Sequence, residues 1–135
     1  MTLKDYQDLF VDEFALFDQW SDKYNLLIEY ADSSPRRLTQ DLLRHRISNC
    51  LSRTYFRAEN IDGMISIEGW SNSSIMHGLI VYIKKMFHNI PVQDLREVPI
   101  DFHVRSGLVD HVTPFRKAAI LEIIERINVL LENKT

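Results

Sequence analysis

The chain has 135 residues, about one domain's worth, and its 45% hydrophobic content is enough to bury a single core. One cysteine cannot close an internal disulfide, which excludes a disulfide-stapled secreted scaffold, and a net charge of −3 argues against a dedicated nucleic-acid binder. Acids appear as early as Asp5, and no apolar run approaches the roughly 18 residues of a membrane helix, so a soluble, cytoplasmic protein without membrane contact is expected.

From Leu3 to Trp20, Phe10, Phe14 and Phe17 fall at i, i+4 and i+7 with acids between them, which predicts an amphipathic helix packing by its aromatic face. Ser21 is a candidate cap for a second helix from Asp22, with Leu26, Leu27 and Tyr30 as its buried stripe, until Asp32-Ser33-Ser34-Pro35 breaks the pattern. From about Leu51 the period becomes two. Leu51, Arg53, Tyr55 and Arg57 then alternate with Ser52, Thr54, Phe56 and Ala58, as in a strand. Asn60-Ile61-Asp62-Gly63 supplies turn chemistry, and Met64 to Glu68 alternates again, so the pair reads as an antiparallel hairpin.

Ser71-Asn72-Ser73-Ser74 offers N-caps for a helix over Ile75 to Phe87 whose near-continuous apolar content predicts burial on much of its circumference. Gly78 inside it costs about 1 kcal/mol relative to alanine, which points to a close approach by another helix. Asn89 and Pro91 end that helix, and Pro91 can open a short one through Val92, Leu95 and Arg96. Val98 to Asp110 has no decisive period. Thr113-Pro114 is an N-cap followed by proline at the first helical position, and Ile120, Ile123, Ile124, Ile127, Leu130 and Leu131 form a 3.6-residue stripe behind it. The expected architecture is one α+β domain over residues 1–135, with a small antiparallel sheet of about three strands packed against helices.

Charge is distributed unevenly. Between Ser33 and Ala58 six arginines (Arg36, Arg37, Arg44, Arg46, Arg53 and Arg57) face a single acid, Asp41, so this stretch carries +5 and the remainder −8. Cys50 lies inside the positive stretch, directly before the expected strand. Nearby cations such as Arg46, Arg53 or protonated His45 would favour its thiolate, the form that attacks sulfur. A buried structural cysteine beside surface-solvating arginines fits the same local sequence. Binding of nucleic acid through the positive stretch is disfavoured because the negative remainder would repel phosphate.

The pattern along the whole chain resembles the SufE family. Asn49-Cys50-Leu51-Ser52-Arg53-Thr54-Tyr55 is similar to its Gly-Cys-Gln-Ser-x-Val-Trp, and Asp62-Gly63 through Gly69-Trp70-Ser71-Asn72-Ser73 to its hairpin and Gly-Asp-Ser-Asp-Ala. Ile75-Met76-His77-Gly78-Leu79-Ile80 resembles Ile-Val-x-Gly-Leu-Ile, and Gly107 to Arg116 resembles Gly-Leu-x-x-His-Leu-Ser/Thr-Pro-Ser-Arg before a long last helix. Trp20 to Glu29 is similar to Trp-x-x-Lys/Arg-Tyr-x-x-Leu-Ile. No one motif is specific, but all five occur in the family's order.

The resemblance implies an α+β fold shared with IscU-type scaffold proteins and a catalytic cysteine at Cys50. This cysteine would accept persulfide sulfur from a SufS-type cysteine desulfurase and pass it to an iron–sulfur scaffold complex. The PLP belongs to the desulfurase, so no cofactor or metal is expected on this chain. Tyr55 or Phe56 could shield the bound sulfur, ordinary hairpin packing being the other role for Phe56. By the same resemblance, Asn49, Leu51, Ser52, Arg53, Asn72, His111 and Arg116 are candidate supporting or partner-binding residues. Arg116 gains nothing from the helix dipole where it stands, which favours a functional role, whereas His111 is expected to make a structural hydrogen bond. His45, His77, His88 and His103 show no ligand spacing, and one cysteine is too few for a cluster scaffold.

The sequence departs from the family pattern at Asn49, Leu51, Trp70, Asn72, Phe115 and Lys117 to Ala119. Replacing the acidic pair by Trp70 and Asn72 removes negative charge near the cysteine, which favours a thiolate. An alternative function is therefore a diverged interaction module that binds or regulates a desulfurase without efficient sulfur transfer.

Overall fold

Two segments of alternating pattern meet through a turn that only a few residue types can make. β1 (Thr54–Ile61) pairs antiparallel with β2 (Met64–Ser71) in a register running from Thr54 opposite Ser71 to Ile61 opposite Met64. The two loop residues, Asp62 and Gly63, have φ of 53° and 86°, the left-handed pair of a type I′ turn that matches strand twist. Asn60 Oδ1 accepts the Gly63 N–H at 2.8 Å and closes the turn. The computed structural model describes residues 1–48 and 51–132.

The sheet has two strands among the described residues, not about three. Each outer edge is covered by an irregular segment. Along β1, Ile47 donates to Thr54 and Phe56 to His45, with one bridge between Arg46 and Tyr55. Along β2, Ile65 donates to Ile90 and Asn89 to Ile65, with one bridge between Met64 and Pro91. Proline has no N–H to extend a ladder, so pairing there ends at once. β1 also begins at Thr54 rather than Leu51. The alternation over residues 51–53 is compositional, because Arg53 is engaged by Asn72 and Leu51 is 81% exposed.

α1 (Leu3–Ala15) opens with a reciprocal cap, Thr2 Oγ1 accepting from the Asp5 N–H and Asp5 Oδ2 from the Thr2 N–H. It buries Leu3, Gln7, Phe10 and Phe14, and it ends before Phe17. α2 (Trp20–Asp32) starts one residue before the expected Ser21 cap, with Gln19 at the N-cap position. α3 (Ser74–Phe87), capped by Ser73, is buried over most of its surface. It packs on α2 at Gly78, where an added Cβ would lie 1.7 Å from the Leu27 carbonyl oxygen. The glycine is thus required by backbone contact.

The short helix expected after Pro91 is α4 (Asp94–Glu97), and the stretch without a clear period, Val98 to Asp110, folds into the very short helices α5 (Phe102–Arg105) and α6 (Leu108–His111). α7 (Pro114–Asn128) has Thr113 as its N-cap and buries Ile120, Ile123, Ile124 and Ile127. Short 3-10 turns lie at Asp41–Arg44 and Val129–Leu131. At the centre, Phe10 stacks on Phe14 and meets Tyr82 and Phe102 edge-on at 4.7 and 5.0 Å, joining α1, α3 and α5. Phe56, Ile65 and Ile67 bring the hairpin onto the same core.

Candidate functional site

Asn49 and Cys50 lie outside the described residues, so the site is built from what flanks them. On the N-terminal side, Ser48 is exposed, its Oγ–H donating to Glu122 Oε1 at 2.8 Å and its N–H approaching both carboxylate oxygens at 3.2 Å. On the C-terminal side, Arg53 and Asn72 exchange two bonds. The Arg53 N–H donates to Asn72 Oδ1 at 3.0 Å and the Asn72 N–H to the Arg53 carbonyl at 3.1 Å. The Arg53 guanidinium lies 5.2 Å from the Trp70 ring, so its cation is directed onto an aromatic face.

Beneath this strand end lies a polar network. Thr54 Oγ1 and Ser71 Oγ are 2.8 Å apart and buried, and Ser71 Oγ accepts from the Ser73 N–H. The Ser71 N–H donates to His77 Nδ1 at 3.1 Å. Burial, aided by the Arg36 charge, pushes His77 down to about 4, so at neutral pH its ring is uncharged and can accept.

Leu51 and Ser52 border a shallow pocket of about 150 Å³ whose other walls are Ser73, Thr113, Phe115 and Arg116. Ser73 and Thr113 are the N-caps of α3 and α7, so the positive ends of two helix dipoles and the Arg116 side chain meet in one place. Such a surface favours an anion, whether a thiolate, a persulfide or a carboxylate. Leu51 and Phe115 are 81% and 56% exposed, an apolar rim on a cationic site.

The structure therefore gathers Leu51, Ser52 and Arg116 at the pocket and ties Arg53 to Asn72 at the adjoining strand end. His111 does not line the pocket. Its ring stacks on Trp20 with centroids 4.0 Å apart, Nδ1 is 2.9 Å from the Gly107 carbonyl, and its own carbonyl accepts from Tyr24 Oη–H. These contacts are structural. Phe56 is fully buried in the core and Tyr55 is 7% exposed, which makes hairpin packing the role of Phe56.

Sequence reasoning missed Ser73, Thr113 and Phe115 as pocket walls, and Glu122 as the partner of Ser48. The cap pattern of Ser73 and Thr113 was visible, but their convergence is tertiary. Asp41, His45 and Glu59 also approach one another closely enough to share a metal ion. Arg57 donates to Asp41 and lies 3.0 Å from Glu59, so the chain supplies its own cation there.

The family model described as "SufE: Fe-S metabolism associated domain" matches residues 8–131, and the chain belongs to the SufE family. It is thereby associated with iron–sulfur metabolism. An uncharacterised SufE-like protein of Rhizobium meliloti (strain 1021) is 23% identical over 133 residues, covering 94% of this chain and 95% of the relative. A second, from Rhizobium etli, is 21% identical over 126 residues, covering 89% and 85%. The solution structure of a hypothetical protein from Thermus thermophilus superposes with a TM-score of 0.65 at 20% identity, covering 98% of this chain and all of that one, a likeness of fold. Among the described residues no helix is long and apolar enough to cross a membrane.

Proposed function

We propose that residues 1–135 form one sulfur-acceptor domain of the cytoplasm, taking sulfane sulfur from a SufS-type cysteine desulfurase onto Cys50 and delivering it to an iron–sulfur scaffold complex. The observation that carries this reading is the pocket directly following residue 50, where two helix N-termini and Arg116 favour an anion. Family membership across residues 8–131 supports it.

In the reaction the Cys50 thiolate attacks the outer sulfur of the desulfurase's cysteine persulfide. A new S–S bond forms to Cys50 as the donor's S–S bond breaks, and the donor cysteine leaves as a thiolate. Electrons balance without an external oxidant, because one persulfide is consumed and one is formed. Arg116 and the two helix ends stabilise negative charge on the incoming and transferred sulfur. PLP chemistry belongs to the desulfurase. A lone cysteine suits a reducing compartment, where it stays available as a thiol.

The test is intact-mass analysis after incubation with a PLP-dependent cysteine desulfurase and cysteine. Wild type gains one sulfur and Cys50→Ser gains none. A wild-type protein that acquires no sulfur from any desulfurase encoded with it would sink the reading. The exposed Leu51 and Phe115 rim favours a second reading, an interaction module that binds or regulates a desulfurase without transfer. Binding that survives Cys50→Ser, with no persulfide on wild type, would select that reading.

A further inference from the structure

Two side chains one turn apart on α7, Glu122 and Arg126, hold the segment leading to Cys50. Arg126 Nη1 donates to the carbonyls of His45 at 3.1 Å and Phe56 at 2.8 Å, and Nη2 donates to the Arg46 carbonyl at 2.6 Å. Nη2 also bonds Glu122 Oε2 at 2.7 Å. Glu122 in turn takes the Ser48 hydroxyl and lies 3.2 Å from the Ser48 amide nitrogen through either oxygen. Residues 45, 46 and 48 are thus engaged by one ion pair, and the last of them stands two positions before Cys50.

The placement of these bonds is informative. Over residues 45–47 the backbone is already secured to β1, by Phe56 donating to His45 and Ile47 donating to Thr54. Ser48 lies past that pairing, and there Glu122 takes over. Charge-assisted bonds from a planar guanidinium fork and a carboxylate are stronger and more directional than neutral ones. Burial raises the Glu122 carboxyl, but the Ser48 bonds and Arg126 outweigh it and hold the group below its ordinary value, so it is ionised at neutral pH. On the other side of the cysteine, Asn72 fixes Arg53.

We propose that the Glu122–Arg126 pair is a positioning device for Cys50. By fixing the chain at Ser48, two positions upstream in sequence, it tunes the reactivity of the thiol. The function assigned to this device rests on the reading of Cys50 as sulfur acceptor.

Because Cys50 is the only cysteine, alkylation of the full chain by iodoacetamide reports on that thiol alone. The Cys50 sulfur displaces iodide, and the rate against pH follows its thiolate. In Glu122→Gln and Arg126→Met the profile shifts so that the rate at a fixed pH below the thiol pKa changes about threefold or more, as a pKa displacement of about half a unit produces. Ser48→Ala removes an exposed hydroxyl, retains the fold, and shifts the profile in the same direction by less. Circular dichroism and urea unfolding of each variant separate positioning from folding. A merely structural pair lowers the unfolding midpoint and leaves the profile unchanged.

Profiles of folded variants that superimpose on wild type overturn the proposal, with Ser48→Ala serving as the deciding variant if the other two do not fold. Sulfur uptake from desulfurase and cysteine is measured alongside. If wild type gains no sulfur while the profiles differ, the acceptor reading fails and the positioning of the thiol stands. Uptake by wild type with coincident profiles gives the reverse.

Discussion

Arg53 and Asn72 hold each other by two reciprocal hydrogen bonds, backbone to side chain at 3.0 Å and backbone to backbone at 3.1 Å. The second continues the β1–β2 ladder one step past Thr54, while the first depends on the Asn72 side chain alone. Asn72→Ala should therefore cost about 1 kcal/mol at most, since the site is exposed and water can replace the acceptor. Asn72→Asp keeps the acceptor and adds a negative charge, which should leave stability near wild type and raise the Cys50 thiol pKa. Urea unfolding and an iodoacetamide pH profile check the two halves. A thiol pKa that falls in Asn72→Asp would contradict the electrostatic assignment.

Gly78 presents a simpler case. An alanine Cβ would sit 1.7 Å from the Leu27 carbonyl oxygen and 2.5 Å from its carbonyl carbon, so α2 and α3 must move apart. Overpacking against backbone falls at or above the upper end of the usual cost, about 3 kcal/mol. Gly78→Ala should lower the thermal midpoint strongly or prevent folding, even though alanine is the better helix former. A midpoint equal to wild type would show that the two helices separate without cost.

His77 should make stability fall with acid. Its folded value is about 4 because burial disfavours the charged ring, against an unfolded value near 6.5. Between these two pH values the unfolded chain binds more protons than the folded one. The stability contributed by His77 is thus complete above about pH 6.5, falls as pH drops toward about 4, and does not change further below that; the span is about 3 kcal/mol. Burial lowers His103 too, so His103 acts in the same direction. His77→Gln should flatten the urea-unfolding profile over this window, though not abolish its slope, and should also cost stability at neutral pH if the Ser71 N–H loses its acceptor.

What the sequence disclosed follows the range of the interactions. Local rules located the Asp62–Gly63 turn, the Thr113 cap with Pro114 and the apolar stripe of α7, because each depends on residues within a turn or two; the close packing at Gly78 was legible only as a helix interior that tolerates a glycine, its partner Leu27 being distant in sequence. Alternation misled at Leu51 to Arg53, where exposure and the Asn72 side chain leave only one ladder bond, at the Arg53 carbonyl, in place of continued strand pairing. The expected third strand dissolves into single bridges at Arg46 and Pro91, a result of edge geometry that no periodicity records. The Ser48–Glu122 contact joins residues 74 positions apart, so no local pattern points to it, and Glu122 and Arg126 went unremarked in the sequence. The family resemblance named Leu51, Ser52 and Arg116 as separate candidates, and their meeting in one pocket is made by the fold.

The apolar rim yields the last prediction. Leu51 and Phe115 stand 81% and 56% exposed at one pocket beside Arg116, Leu51 lying in the arginine-rich stretch of the chain. Surface residues with so little buried area contribute little to folding, so Leu51→Ser and Phe115→Ser should each change stability by about 0.5 kcal/mol or less. An aromatic and an aliphatic side chain at the rim of a docking site can instead be anchors, and losing either should weaken desulfurase binding about tenfold, or about 1.4 kcal/mol. Calorimetric titration of wild type and both variants against the desulfurase measures the effect. Raising salt should weaken all three alike, because screening acts on the arginines and not on the apolar contact. If both variants bind as wild type does, the partner reaches Cys50 without covering Leu51 and Phe115, and the rim is no part of its footprint.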